Sequence, residues 1–189
     1  MNNNTPDPRP VATGVILSVS APRRSGRQTF MTDPLAAYLH DHLAGSNFAI
    51  ELLKNLEEQH AGEPLGQFAA AELTLLLEDR QLLEGIVDRI GSESSVLKDA
   101  TGWMAEKASR FKLRHPSSRE FGTFEALELL ALGIHGRVSL WRVLSVIAST
   151  DTRLAGEDFE ALAARAQAQH DRVEERRLQI APAALHAPK

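Results

Sequence analysis

Six side chains able to ligate a metal or move a proton occupy positions where a helix would turn them inward: His42, Glu72, Asp79, Glu128, His135 and His170. At about 100° per residue, His42 falls at the centre of the apolar stripe made by Leu39, Ala49 and Leu53. Glu72 and Asp79 fall within the stripe of Phe68, Leu76, Leu83 and Ile86. Glu125, Glu128, His135, Ser139 and Arg142 line one side of an otherwise apolar segment, and His170 stands among Phe159, Ala163, Ala166 and Val173, with Gln167 and Gln169 beside it. An unpaired buried charge is expensive, so inward carboxylates need partners. Imidazoles and carboxylates that converge from several helices suit zinc, iron or manganese, which accept nitrogen and oxygen ligands.

The elements that would carry these groups are helices. Thr32-Asp33-Pro34 gives an N-cap followed by proline at the first helical position, and an apolar stripe then runs to about His60, where Ala61-Gly62-Glu63-Pro64 stops it. A second helix of similar length spans 65–90 and ends at Gly91-Ser92. A shorter amphipathic helix is expected over 96–113, carrying Trp103, Met104, Lys107 and Phe111, before His115-Pro116-Ser117-Ser118 breaks it. A third long helix over 119–149 is apolar nearly all round, as a helix enclosed by neighbours or by a partner chain would be. A fourth follows Gly156 and reaches about Ala181. Strand-like alternation is absent from the sequence.

These lengths and connections predict an all-α fold: an up-down four-helix bundle with one long crossover that contains an extra short helix. Residues 1–31, rich in proline, serine and asparagine without periodicity, read as a disordered tail, with Met31 as an alternative start. Residues 32–182 form the bundle domain and 183–189 a C-terminal tail. With a rise of about 1.5 Å per residue, His42, Asp79, His135 and His170 fall in one layer about 12 to 19 Å up the bundle. Glu72, Glu128 and Glu174 fall in a second, acidic layer near 25 to 27 Å.

The connectivity, together with phrases such as Asp41-His42-Leu43-Ala44-Gly45, resembles the ferritin-like superfamily, in a bacterial branch with a degenerate di-metal ligand pattern. The resemblance covers about residues 33–181. It implies a metal site fed by a glutamate from each of two helices and Glu-x-x-His from each of the other two. Against that pattern, His42 stands where a glutamate is expected, Glu72 is followed three residues on by Leu75, and Glu128 fits. Gln167-Ala168-Gln169-His170 keeps the histidine and replaces the carboxylate with an amide. Glu57-Glu58-Gln59-His60 has the spacing but sits at the end of its helix, where it is expected to face solvent.

The 189 residues carry a net charge of −4, with 43% hydrophobic and 24% charged residues and no cysteine. That excludes disulfide-stapled, iron–sulfur and thiolate-zinc classes. Arg9, Arg23, Arg24 and Arg27 give the first 31 residues a positive balance, so the body is acidic and disfavours a nucleic-acid surface. A DNA-associated ferritin relative using that basic tail is the weaker alternative. A continuous apolar run of the roughly 18 residues that span a bilayer is not seen, nor is a Ser-His-Asp order or a phosphate-binding glycine loop, so a cytoplasmic location is expected. Two readings stay open. One is a bundle binding a metal ion through the six residues; the other is a metal-free structural, interaction or stress-associated bundle with a buried polar network; a homo-oligomer is compatible with both. Arg142 and Arg177, placed on inward stripes, favour the second because they could neutralise the acidic layer.

Overall fold

The computed structural model describes residue 1 and residues 33–91 and 118–186. Four long helices account for nearly all of it: α1 (Pro34–Gln59), α2 (Pro64–Ile90), α3 (Arg119–Ala148) and α4 (Phe159–Leu185), with a single 3-10 turn at Thr152–Leu154. No strand occurs among the described residues. The expected helix at 96–113 and residues 2–31 of the expected tail lie outside them.

The helix ends follow from local chemistry. Asp33 Oδ1 accepts from the Leu35 amide at 2.9 Å, and Pro34 fills the first position, where no amide is needed. Ser118 and Asp158 cap α3 and α4 in the same way, accepting from the amides of Phe121 and Ala161. Gly91 closes α2 at φ 72°, a left-handed conformation that favours glycine. The α1–α2 turn requires Gly66 for a different reason: a Cβ there would collide with the His60 carbonyl, because the first turn of α2 lies directly on the end of α1. Helix α4 runs further than the sequence suggests, with Pro182 inside it and the last turn reaching Leu185, so residues 183–185 belong to the helix.

Side-chain pairs fix the directions. Arg153, just after α3, bonds Asp33 at the start of α1 at 2.5 Å, and His60 at the end of α1 meets Thr123 at the start of α3. Arg89 at the end of α2 bonds Glu157 ahead of α4 at 2.8 Å, and Glu72 and Asp79 of α2 pair with Arg172 and Arg165 of α4 in descending order. Helix α1 is therefore antiparallel to α2 and α3, and α4 is antiparallel to α2 and α3. The end of α2 and the start of α3 consequently lie at opposite ends of the helices, and residues 92–117 connect them.

The apolar interior has two parts. One gathers Leu39, Leu43, Leu83, Ile86, Trp141, Leu154 and Phe159; the other gathers Leu53, Leu56, Leu76, Leu127, Leu130, Ile134 and Val173. Full burial of each such side chain contributes about 1.5–3 kcal/mol. Helix α3 is long and apolar enough, by length and average composition, to cross a membrane, although its sequence holds no unbroken apolar run of that length. Its inner face is occupied by Leu127, Leu130, Val138, Leu140, Trp141 and Leu144, all fully buried, while Leu132, Val143 and Val146 are exposed.

Candidate functional site

The two apolar parts are separated by a polar layer to which three helices contribute hydrogen-bonding side chains. On α2, Asp79 lies between Leu76 and Leu83; on α3, Arg137 lies between Ile134 and Trp141; on α4, Gln169 lies between Ala166 and Val173. Asp79 is 2% exposed, Arg137 8% and Gln169 2%, so each polar group depends on the others rather than on water.

Asp79 is claimed by two guanidinium groups. Arg165 of α4 donates to Oδ1, and Arg137 Nε lies 3.1 Å from Oδ2. That second contact is an ion pair without hydrogen-bond alignment, since the Nε proton is not directed at the oxygen. Arg137 donates through Nη2 to Gln169 Oε1, and Gln169 Nε2 donates in turn to the Glu72 carbonyl at 3.0 Å. Glu72 is also 2% exposed, and Arg172 clamps it with Nε on Oε1 at 2.7 Å and Nη2 on Oε2 at 3.0 Å. This is the two-pronged pairing that a planar guanidinium favours. Burial lowers the Arg137 pKa, and the Asp79 carboxylate opposes that shift.

The six residues expected to form a metal set separate into three groups. Glu72 and Asp79 do point inward, but arginines occupy their oxygens. His42 is half-buried on the wall of a cavity of about 120 Å³ that Asp79, Arg137 and Trp141 also line, with its ring edge-on to Tyr38 at 4.7 Å. Burial pushes the His42 pKa below the usual value. His135 and Glu128 lie on the exposed face of α3, together with Ser139 and Arg142. His135 meets half-buried His170 with ring centroids 5.7 Å apart, and Glu128 pairs with Arg177 at 3.2 Å. Among the described residues, no group of three or more His, Asp or Glu side chains is placed to hold a metal ion.

The polar side of α3 was expected to face inward, and it faces out. A helix apolar on most of its circumference gives no strong moment to orient it, and the charged residue it turns inward is Arg137, in the Leu130–Ile134–Trp141 stripe. Arg142 is exposed, and Arg177 bridges Glu174 and Glu128 near the surface rather than neutralising Glu72. The functional signal missed in the sequence is the arginine series at 165, 172 and 137. Arg165 and Arg172 are seven apart and match the seven-residue spacing of Glu72 and Asp79 on the antiparallel partner.

A second polar cluster sits at the end of the molecule. His60 is buried at 7%, contrary to its expected solvent position, whereas Glu57, Glu58 and Gln59 are exposed. Thr123 donates its hydroxyl to the Arg119 carbonyl, so its oxygen is open to accept from His60 Nε2 at 2.9 Å. His60 Nδ1 then faces Arg119 Nη2 and Glu63 Oε2, both at 2.9 Å. Neutral imidazole accepts from the arginine, while imidazolium donates to the carboxylate. The His60 and Arg119 hydrogen bonds hold the Glu63 carboxyl below its ordinary pKa. Comparison of the chain with family models, curated proteins and solved structures finds no match in any of the three.

Proposed function

We propose that the chain is a four-helix bundle of ferritin-like connectivity that works as a metal-free interaction or scaffold protein in the cytoplasm. The observation that carries this reading is the state of the interior carboxylates: Asp79 and Glu72 each present their oxygens to guanidinium groups from the facing helices. A di-metal site of ferritin type needs carboxylates free to bridge cations. Here arginines supply the positive charge. A buried ionic layer of this kind is suited to fixing helix register, because a slip of one turn would strand each charge opposite leucine or alanine. Self-association belongs to the same reading and is supported by Leu132, 65% exposed, and Val146, 74% exposed, on the outer face of α3.

The test is elemental analysis of the purified full chain, with melting curves before and after a chelator. The expected outcome is no stoichiometric zinc, iron or manganese and no chelator effect, including after incubation with each ion. Stoichiometric metal with a chelator-sensitive transition would overturn the reading. It would favour a second one, in which His135 and His170 anchor a metal at the α3–α4 surface, supported by the 5.7 Å separation of their rings. The oligomeric part is checked by light scattering, where Val146→Glu should shift an assembled species toward the monomer.

A further inference from the structure

We infer that the outer face of α3 is the seam of a two-fold dimer, in which α3 packs antiparallel against α3 of a second copy of this chain. The inference rests on the reading that the chain self-associates, and it names the surface and the geometry. Leu129, Leu132, Gly136, Ser139, Val143 and Val146 follow one another at steps of three, four, three, four and three. That is the 3.5-residue period that keeps a seam along one side of a helix. Leu132 is 65% exposed, Val143 43% and Val146 74%; Ser139 is exposed, and Leu129 and Gly136 are half-buried. The other exposed leucines, Leu77, Leu178 and Leu185, stand on α2 and α4. Exposed apolar side chains in one line, rather than scattered singly, mark a surface for association.

The order of these six residues fits a second copy. A two-fold axis crossing α3 between Gly136 and Ser139 maps the set onto itself: Leu129 comes opposite Val146 of the other copy, Leu132 opposite Val143, and Gly136 opposite Ser139, each pair occurring twice. The larger side chains fall toward the ends of the seam and the two smallest at its centre, where two crossing helices approach most closely. A Cβ on Gly136 would meet nothing within 4 Å, so the surface is notched at that point. The Ser139 hydroxyl donates to the His135 carbonyl of its own helix at 3.1 Å, so covering it strands no donor.

The charges beside the seam set the direction. Glu125 and Glu128 belong to its first half and Arg142 to its second. A parallel pair would set Glu128 against Glu128 and Arg142 against Arg142 of the other copy, and like charges held together oppose association. In the antiparallel pair, Glu128 comes level with residues 147–149 of the other copy, which carry no carboxylate, and keeps its own partner Arg177 at 3.2 Å. Arg142 comes beside His135 of the other copy, whose neutral ring can accept from a guanidinium. An anionic bilayer surface, the other apolar-seeking occupant, would repel Glu125 and Glu128.

The experiment is thiol crosslinking of the full chain, which has no cysteine of its own. Three variants are treated with a short bismaleimide: Leu132→Cys, Val143→Cys and the Leu132→Cys/Val143→Cys double variant. In the antiparallel pair each introduced thiol lies about 16 Å along the helix from its own copy but faces the other introduced position, at about 1.5 Å of rise per residue. The double variant should therefore become a covalent dimer on a denaturing gel, while each single variant stays monomeric and the two singles mixed together crosslink. Both altered side chains are exposed, so folding does not depend on them. Crosslinking of the single variants alone would mean a parallel pair, and no crosslink in the double variant would remove the seam; either overturns the inference. Light scattering of the unaltered chain keeps the two failures apart: a dimer without the crosslink loses only this face, whereas a monomer at every concentration loses self-association as well. Two further outcomes would give the face to another occupant and overturn the inference: co-sedimentation with phosphatidylglycerol vesicles that abolishes the crosslink, or a monomer whose Leu132→Cys thiol resists maleimide because residues 92–117 of its own chain cover it.

Discussion

Replacing Asp79 with alanine tests the ionic layer directly. The side chain is 2% exposed and neutralises Arg137, which is 8% exposed, together with Arg165. Arg165 is 41% exposed in its side chain and can turn to water, so losing its pairing costs less than about 1 kcal/mol. Arg137 cannot escape in the same way, and an uncompensated buried charge costs about 3–5 kcal/mol. Its remaining bond to Gln169 Oε1 places the expected loss near the lower end, about 3 kcal/mol. For a chain of this size that corresponds to a fall of roughly 6–12 °C in Tm. The assay is urea unfolding at neutral pH for Asp79→Ala, Asp79→Leu, Arg137→Met and the Asp79→Leu/Arg137→Met double variant, the last compared with the Asp79→Leu and Arg137→Met singles. Apolar groups of similar volume often replace a buried pair at little cost, so the double variant should lie within about 1 kcal/mol of the parent. A loss below about 1 kcal/mol for Asp79→Ala, or a double variant whose loss is the sum of the single ones, would refute the reasoning, because it would mean that the two charges do not depend on each other.

Gly66→Ala should destabilise by about 1–3 kcal/mol, since its Cβ collides with the His60 carbonyl at the α1–α2 turn; an unchanged urea midpoint would show that the turn opens freely. His42 has its pKa lowered by burial, so below its ordinary value of 6.5 the unfolded chain takes up a proton that the folded chain refuses. Stability should therefore fall as the pH drops from about 6.5 toward the folded-state value, and His42→Gln should flatten that slope; an NMR titration placing His42 at or above its ordinary value would count against this. Asp33→Ala removes both the N-cap of α1 and the partner of Arg153, and should cost about 1 kcal/mol in urea unfolding. The Arg153 and Leu35 contacts hold the Asp33 carboxyl below its ordinary pKa, so this contribution is present at neutral pH and disappears as the pH falls through that depressed value.

Much of the architecture was legible one residue at a time. Asp33-Pro34, Gly91 and the Ser118 cap are local stop and start signals whose chemistry acts within a few residues, and the four long helices begin and end within about three residues of those signals, apart from the last turn of α4. The burial of Glu72 and Asp79 could also be read in advance, because on α2 they interrupt a clear apolar stripe. Height was readable in part: a constant rise per residue put Asp79 level with His42, His135 and His170, and in the structure His42 and Asp79 line one cavity while His135 meets His170.

The partners were decided by the tertiary structure. Facing direction depends on how a helix is rotated against its neighbours, and for α3, apolar nearly all round, the sequence holds almost no information about that rotation. His135 and Glu128 consequently went to the surface, while Arg137 took the interior position. Residues 165 and 172 of α4 pair with residues 79 and 72 of α2 only because those helices run antiparallel in one register, a relation no local signal encodes. The sequence by itself determined where the helices lie and that two acids would be buried on α2. Which cation answers those acids was left to the packing of helices far apart in the chain, and the packing brought arginine.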